Sequence, residues 1–123
     1  MLEGKVALVT GSTRGIGLAI ARALAREKAS ILLNGFGDPA RIEKNRAAMA
    51  EEFGVRVAYD GADLSQPTQA QRLVETAMRA LKAKKAEVVL SFSHCVAKAA
   101  RKEKGALHIC YCFTPARYAW GFF

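Results

Sequence analysis

Short continuous apolar runs alternate along this chain with longer segments in which apolar residues recur every three or four positions. Continuous runs are typical of strands buried on both faces of a parallel sheet, and the recurring pattern is typical of amphipathic helices. The predicted strands span residues 5–10, 30–33, 55–59, 87–90 and 106–113. The predicted helices span residues 16–28, 39–53, 66–81 and 96–104. This alternation implies right-handed crossovers, so we expect an α/β fold whose parallel sheet is covered on both sides.

Individual residues predict where the helices begin, end and face the core. Asp38 is a favourable N-cap, Pro39 suits the first helical position, and Gly54 is typical of a helix stop. Ser65 is predicted to cap the third helix, with Pro67 in its first turn. The residues predicted to lie on inward helix faces are Ile16, Ala19, Ile20, Ala23, Leu24, Ile42, Asn45, Met49, Phe53, Leu73, Ala77 and Leu81.

A glycine-rich segment follows the first apolar run directly and opens the first helix. It reads Thr10-Gly11-Ser12-Thr13-Arg14-Gly15-Ile16-Gly17. Gly11 allows a tight turn, Gly15 lets backbone N–H groups approach a pyrophosphate, and Gly17 lets the helix pack closely on the strand. The N-terminus of a helix offers unpaired N–H donors and a partial positive charge to phosphates. The alternative is a glycine-rich turn that binds no ligand.

The spacing T-G-x-x-x-G-x-G resembles the cofactor loop of the short-chain dehydrogenase/reductase family. The likeness continues in Val9-Thr10 before the glycines and in residues 18–21 after them. It implies an oxidoreductase with a Rossmann-type three-layer sandwich, of which this chain holds an incomplete N-terminal part. Residues 32–38, 42–44 and 59–65 resemble the bacterial branch that interconverts 3-hydroxybutyrate and acetoacetate. That branch implies a small hydroxy acid or ketone as substrate and a cytoplasmic homotetramer.

The resemblance also implies where a nicotinamide dinucleotide would bind. Ligands of open α/β sheets lie outside the carboxyl ends of the strands. The phosphates would meet residues 11–17, the adenosine ribose residues 34–38, and the adenine Asp63-Leu64. The candidate cofactor-binding residues are Gly11, Thr13, Arg14, Gly15, Ile16, Gly17, Asn34, Phe36, Asp63 and Leu64. The alternative for Asp63 is a carboxylate that caps a loop or helix.

Two features disagree on which dinucleotide is bound. Arg14 resembles the basic residue of many members that prefer NADP, although a solvated loop cation is an equal alternative. The segment 34–38 contains no Arg or Lys to complete a phosphate clamp. We therefore predict NAD, with NADP as the alternative because of Arg14.

Charge and composition change near residue 79 of the 123 residues. The first 78 residues hold ten basic and nine acidic residues, whereas the remainder hold nine basic residues and only Glu87 and Glu103 as acids. The length suits one domain over residues 1–123, with a cofactor-binding part at 1–79 and an atypical basic tail at 80–123. An odd count of three cysteines favours a reducing cytoplasm. No apolar run approaches the roughly 20 residues that span a bilayer, so we expect no membrane partner.

The residues that perform chemistry in this family have no counterpart here. The family uses a tyrosine with a lysine four positions later, because a phenol with a pKa near 10 needs a nearby cation to move protons. The sequence contains no Tyr-x-x-x-Lys, and residues 91–94 stand where an Asn-Asn-Ala-Gly turn belongs. We predict no catalytic residue, a truncated or frameshifted copy, and, as the alternative to a working enzyme, an inactive dinucleotide-binding remnant.

Two further classes of function arise from the tail. His94-Cys95 and His108-x-Cys110-x-Cys112 supply zinc-type ligands, but their spacing matches no known finger, so no metal site is predicted. A basic patch for nucleic acid is the second alternative, although a solvated basic helix face explains the same residues. That patch would comprise Lys82, Lys84, Lys85, Lys98, Arg101, Lys102 and Lys104.

Overall fold

The apolar runs form the strands of one parallel sheet in the computed structural model, which describes residues 2–80, 88–92 and 107–111. The strands are β1 (Val6–Val9), β2 (Ser30–Asn34), β3 (Val57–Asp60), β4 (Val88–Phe92) and β5 (Leu107–Tyr111). The helices are α1 (Gly15–Arg26), α2 (Pro39–Phe53) and α3 (Pro67–Ala80). The predicted α/β class is confirmed.

The strand order is β3-β2-β1-β4-β5, and every pair is parallel. Val9 pairs with Leu33 of β2 on one side and with Leu90 of β4 on the other. The chain thus moves outward from β1 in one direction and later returns to its other side. Such a reversal opens a crevice at the carboxyl ends of the strands, where open α/β sheets bind ligands.

Successive residues of β1 and β2 contribute to two separate cores. Ala7, Val9, Ile31 and Leu33 pack with α1 and α2, through the buried residues Ala21, Ala25, Met49 and Phe53. Leu8 and Leu32 pack with Leu73 and Ala77 of α3. Because side chains alternate across a strand, this division puts helices on both faces and confirms the layered arrangement.

The buried face of α1 differs from the predicted one. The structure buries Gly17, Ala21 and Ala25, which recur every four residues, whereas Ile16 is 56% exposed and Ala19 and Ala23 are also exposed. Leu24 packs against the core only in part. The smallest residues face the sheet because they allow the helix to approach it closely. The prediction failed because it ranked residues by hydrophobicity instead of by the room that the sheet leaves.

The predicted ends of α2 are confirmed. The Asp38 side chain accepts a hydrogen bond from the Ala40 N–H at 3.4 Å, and Pro39 is the first helical residue. Gly54 adopts a left-handed conformation with φ of 65° and donates its N–H to Ala50. The local sequence therefore sets both ends of this helix.

The predicted cap of α3 is wrong by one residue. The carbonyl of Gln66 accepts the first helical hydrogen bond, from Ala70, and the helix begins at Pro67. The Ser65 hydroxyl instead donates to Asp63. Leu73 is buried, as is Ala77, which confirms the inward face of this helix.

The fourth strand is longer than the predicted one. β4 continues through Ser91 and Phe92, so the strand predicted at 87–90 ends two residues later, inside the segment 91–94 that was compared with the family's turn. β5 lies within the predicted 106–113. The helix predicted at 96–104 and the predicted inward residue Leu81 lie outside the described residues. Within the described part of the chain, no helix is long and apolar enough to cross a membrane.

Truncating Met49 tests the core between the sheet and α2. Met49 is completely buried, so Met49→Ala should lower the free energy of unfolding by about 2–5 kcal/mol. Lys44→Ala, at an exposed position of the same helix, is the control and should change it by no more than about 0.5 kcal/mol. Urea unfolding followed by circular dichroism measures both. Equal midpoints for the two variants would contradict the described packing.

Candidate functional site

Three loops leave the sheet at the same edge, because β1, β2 and β3 are parallel and adjacent. We call residues 10–17 the glycine loop, residues 35–38 the β2 loop and residues 61–66 the β3 loop. All ten candidate cofactor-binding residues belong to these loops, except that Asn34 is the last residue of β2 and the glycine loop includes the start of α1. The fold therefore brings the candidates to one edge of the sheet, as the sequence predicted.

The glycine loop leaves the N-terminus of α1 available to a ligand. Gly11 and Gly15 have φ of 64° and 60°, a region that side chains disfavour. Arg14 occupies the N-cap position in an extended conformation, and its side chain makes no capping hydrogen bond. The first turn also carries no acidic residue. Backbone N–H groups at an uncapped helix start favour an anion.

Gly17 is the point at which α1 comes closest to the preceding turn. A Cβ atom added there would lie 2.1 Å from the carbonyl oxygen of Gly11 and 3.0 Å from Cα of Ser12. Both neighbours are backbone and cannot swing away. The third glycine is therefore required by the path of the chain itself, as the motif predicts.

A buried serine joins the glycine loop to β2. The Ser12 hydroxyl donates to the Val9 carbonyl at 2.6 Å and accepts from the Asn34 N–H at 3.0 Å. The Ser12 N–H donates to the Asn34 carbonyl at 2.8 Å. The sequence pattern alone predicted no role for Ser12. A pattern that could have indicated this role is a polar residue directly after a buried strand and Gly11, because a buried hydroxyl without a hydrogen-bond partner would destabilise the fold.

The Asn34 side chain turns inward and joins β2 to the third loop. It is 2% exposed, and its Nδ2 donates to the carbonyls of Asp60 and Ala62 at 2.9 and 3.1 Å. The amide nitrogen is thus engaged within the protein. The buried amide is not presented to the crevice, and the contact of the segment 34–38 with the adenosine ribose stays a prediction.

The β2 loop is held by two hydroxyl groups from neighbouring elements. Thr13 Oγ1 donates to the Phe36 carbonyl at 2.7 Å, and the Tyr59 hydroxyl donates to the Gly35 carbonyl at 2.7 Å. The Phe36 ring is 67% exposed. The backbone of the loop is therefore fixed while its aromatic side chain remains accessible. Tyr59 was missed as a site residue because its contact lies 24 positions away along the chain.

Asp63 makes the local contacts of a capping carboxylate. Its Oδ1 accepts from the Ser65 hydroxyl at 2.7 Å and from the Ser65 N–H at 2.9 Å. These two hydrogen bonds, the hydroxyl first, hold the pKa of Asp63 below its ordinary value. The Asp63 N–H donates to Gln69 Oε1 at 2.8 Å. The carboxylate is therefore charged and half-buried at the rim, and its contact with adenine stays a prediction.

The remaining candidates are Arg14, Ile16 and Leu64. Arg14 is exposed beside the start of α1, and Ile16 presents an exposed side chain in the first turn of that helix. Leu64 packs in part against the core beneath α3. A polar cavity of about 400 Å³ lies between the end of β3 and α3 and was not predicted. Its polar lining comprises Asp60, Gln69, Arg72, Glu75, Thr76 and Arg79.

The alternatives that arose from the tail rest mainly on residues beyond the described ranges. His94, Cys95, Cys112 and the basic residues of the proposed patch lie outside them, while His108 and Cys110 belong to β5. Among the residues that the structure describes, no group of three or more His, Cys, Asp or Glu is arranged to hold a metal ion.

Comparison with known proteins gives the same family for most of the described chain. The family model described as short chain dehydrogenase matches residues 5–90. D-beta-hydroxybutyrate dehydrogenase of Cupriavidus necator is 52% identical over 77 residues, which cover 63% of this chain and 29% of that protein. The enzyme of the same name from Rhizobium meliloti is 46% identical over 65 residues, which cover 53% of this chain and 25% of that protein. The chain thus spans less than a third of these relatives.

Solved structures share the fold. The NADH-dependent reductase A1-R' complexed with NAD has a TM-score of 0.66 and 34% identity, over 76% of this chain and 38% of the reductase. L-Sorbose reductase of Gluconobacter frateurii complexed with NADPH and L-sorbose has a TM-score of 0.64 and 35% identity, over 72% of this chain and 33% of the reductase. Both nucleotides are therefore found in structures similar to this one.

Adding one methyl group at Gly17 tests the close approach of α1. Gly17→Ala should lower the free energy of unfolding by about 1–3 kcal/mol, because the clash with Gly11 outweighs the better helix propensity of alanine. Ala19→Ser adds one heavy atom at an exposed position of the same helix and should change it by less than about 1 kcal/mol. Thermal unfolding compares the two. A Gly17→Ala protein as stable as the unmodified one would refute the described turn.

Removing the Ser65 hydroxyl tests why the pKa of Asp63 is lowered. Ser65→Ala should raise the pKa of Asp63 toward its ordinary value, since the larger of its two stabilising hydrogen bonds is lost. A carboxyl whose pKa is lowered by folding stabilises the folded state at every pH above its ordinary pKa, and this stabilisation is lost as the pH falls through the pKa of the folded state. In Ser65→Ala the folded-state pKa is higher, so the stabilisation should be lost at a higher pH. Carboxyl NMR titration measures the shift, and Thr68→Ala, exposed at the start of α3, should leave it unchanged.

Proposed function

We infer the function from one premise: the chain belongs to the short-chain dehydrogenase family. We propose that its glycine loop, β2 loop and β3 loop bind NAD. We also propose that the chain corresponds to the cofactor-binding part of a dehydrogenase that interconverts 3-hydroxybutyrate and acetoacetate. The substrate is taken from the named relatives, one of which is 52% identical over 77 residues.

The observation that carries this proposal is the uncapped start of α1 behind a turn that only glycine can form. Anions are stabilised at such helix starts by backbone N–H groups and by the helix dipole. No acidic side chain in the first turn opposes a diphosphate. The contact of Gly17 with Gly11 fixes the distance between the helix and the strand, so the donors are positioned before a ligand arrives.

The other two loops suit the adenosine half of the cofactor. Phe36 offers an exposed aromatic ring beside the glycine loop, with its backbone held by Thr13. Asp63 offers a charged carboxylate that accepts hydrogen bonds, which fits the amino group of adenine. Both groups are polar or aromatic contacts of the kind that orient small ligands in a crevice.

NAD is preferred to NADP because of the charge of the β2 loop. A 2′-phosphate requires a basic partner, and residues 35–38 provide none. The only charged residue there is Asp38, which caps α2 and would repel a phosphate. Arg14 is the single nearby cation on the described loops that favours NADP. The reductase complexed with NAD is a relative with the same fold that uses this nucleotide.

The bound dinucleotide would supply hydride transfer, while these residues would bind and orient it. The printed sequence contains no Tyr-x-x-x-Lys to move the proton of a hydroxy acid. We therefore propose that the 123 residues bind NAD without turnover, and that a deletion or frameshift near residue 79 accounts for the change in composition. A cytoplasmic location and a homotetramer belong to the same proposal by analogy with the branch that the chain resembles.

Titration of the purified chain with NAD and NADP, followed by an assay with 3-hydroxybutyrate, tests the proposal. We expect saturable binding of NAD, weaker binding of NADP, and no reduction of NAD when 3-hydroxybutyrate is added. Adenosine, which lacks the diphosphate, is the control ligand and should bind much more weakly than NAD. Absence of binding by either dinucleotide would overturn the assignment, and turnover would show that catalytic residues are present.

A further inference from the structure

We propose that Asn34 is the positioning residue that sets the adenosine half of the dinucleotide site, by fixing the β3 loop against the glycine loop. Asn34 is thereby assigned an indirect role. Its amide nitrogen contacts neither the phosphates nor the ribose of the dinucleotide, but it determines the positions of Asp63 and Leu64. This inference rests on the proposed function.

Asn34 lies at the end of β2, between the glycine loop and the end of β3. Its backbone N–H and carbonyl both bond to Ser12, at 3.0 and 2.8 Å, so the end of β2 is fastened to the glycine loop. Its side-chain nitrogen donates to the carbonyls of Asp60 and Ala62, at 2.9 and 3.1 Å. One residue, only 2% exposed, therefore joins the ends of three strands.

The side chain continues the sheet beyond its last backbone pair. Asn34 and Asp60 are the final partners in the register of β2 and β3. Beyond them the backbone of β3 turns away, with the Ala62 N–H held by the Asp60 carboxylate. The amide of Asn34 supplies the donors that the next strand residue would have supplied. The β3 loop thus leaves the sheet in a defined direction only two residues before Asp63.

An amide group is required because both partners are acceptors. Asn34 Nδ2 carries two hydrogens, and each of the two carbonyls receives one. A carboxylate of the same shape would place oxygen against both carbonyl oxygens and would leave buried acceptors unpaired. The expected consequence is displacement of the β3 loop, with the glycine loop still fastened to β2 by backbone hydrogen bonds.

The experiment compares Asn34→Asp with Asn45→Asp, a half-buried asparagine of α2 outside the three loops. Both variants change an amide to a carboxylate. Affinities for NAD and AMP are measured by calorimetry on protein whose circular dichroism shows it to be folded. Asn34→Asp should lower the affinity for both ligands about tenfold or more, because the loss of buried hydrogen bonds displaces the β3 loop. Asn45→Asp should bind both like the unmodified chain.

The pH dependence of binding separates positioning from a general loss of stability. The buried carboxyl of Asn34→Asp should regain one donor when it is protonated, so its affinity for NAD should rise as the pH is lowered from neutral to mildly acidic. The affinities of the unmodified chain and of Asn45→Asp should stay constant over this range. A flat profile for a folded Asn34→Asp, or an affinity equal to that of the unmodified chain, would overturn the inference.

A measurement on the unmodified chain covers the case in which Asn34→Asp does not fold. The side-chain amide protons of Asn34 should exchange slowly with water and shift in NMR spectra when AMP is added, and those of Asn45 should not shift. Rapid exchange or an unmoved Asn34 signal would overturn the inference. If the unmodified chain binds neither NAD nor AMP, the proposed function fails and the inference with it. If the unmodified chain binds these ligands but Asn34 has no effect on their binding, only the inference about Asn34 fails.

Discussion

The close packing of α1 on the sheet is the constraint on which the site depends. One face of α1 consists of the small residues Gly17, Ala21 and Ala25, and this face packs directly on β1 and β2. Any larger residue at Gly17 would collide with the backbone of the turn before it. The start of the helix is therefore held at the carboxyl edge of β1. Its free N–H groups are available there because the same turn leaves no side chain to cap them.

The two edges of the sheet are stabilised by different interactions. At the carboxyl edge, buried hydroxyl and amide groups of Ser12 and Asn34 join backbone to backbone. At the opposite edge, the helices meet through surface contacts: Arg22 pairs with Glu52 at 2.6 Å and lies over the Phe53 ring. Exposed ion pairs contribute little to stability. The precise, buried contacts are thus concentrated where a ligand would require a fixed geometry.

Binding and chemistry are separable in this fold. The groups proposed to bind the dinucleotide are the start of α1, the Phe36 ring and the Asp63 carboxylate, and all of them precede residue 80. Hydride transfer also needs a group that moves a proton, and no Tyr-x-x-x-Lys occurs in the sequence. Under the proposed function, a chain that spans less than a third of its relatives would bind the dinucleotide with these loops and would not carry out the reaction.

The sequence alone determined the features that depend on near neighbours. The order of strands and helices, the glycine turn and the ends of α2 at Asp38 and Gly54 were predicted, because periodicity and local backbone preferences decide them. The tertiary structure decided which face of α1 is buried. It also turned Asn34 inward and brought the Tyr59 hydroxyl to Gly35. The contacts of Asn34 and Tyr59 join residues more than twenty positions apart, and the room beneath α1 exists only once the helix has packed on the sheet.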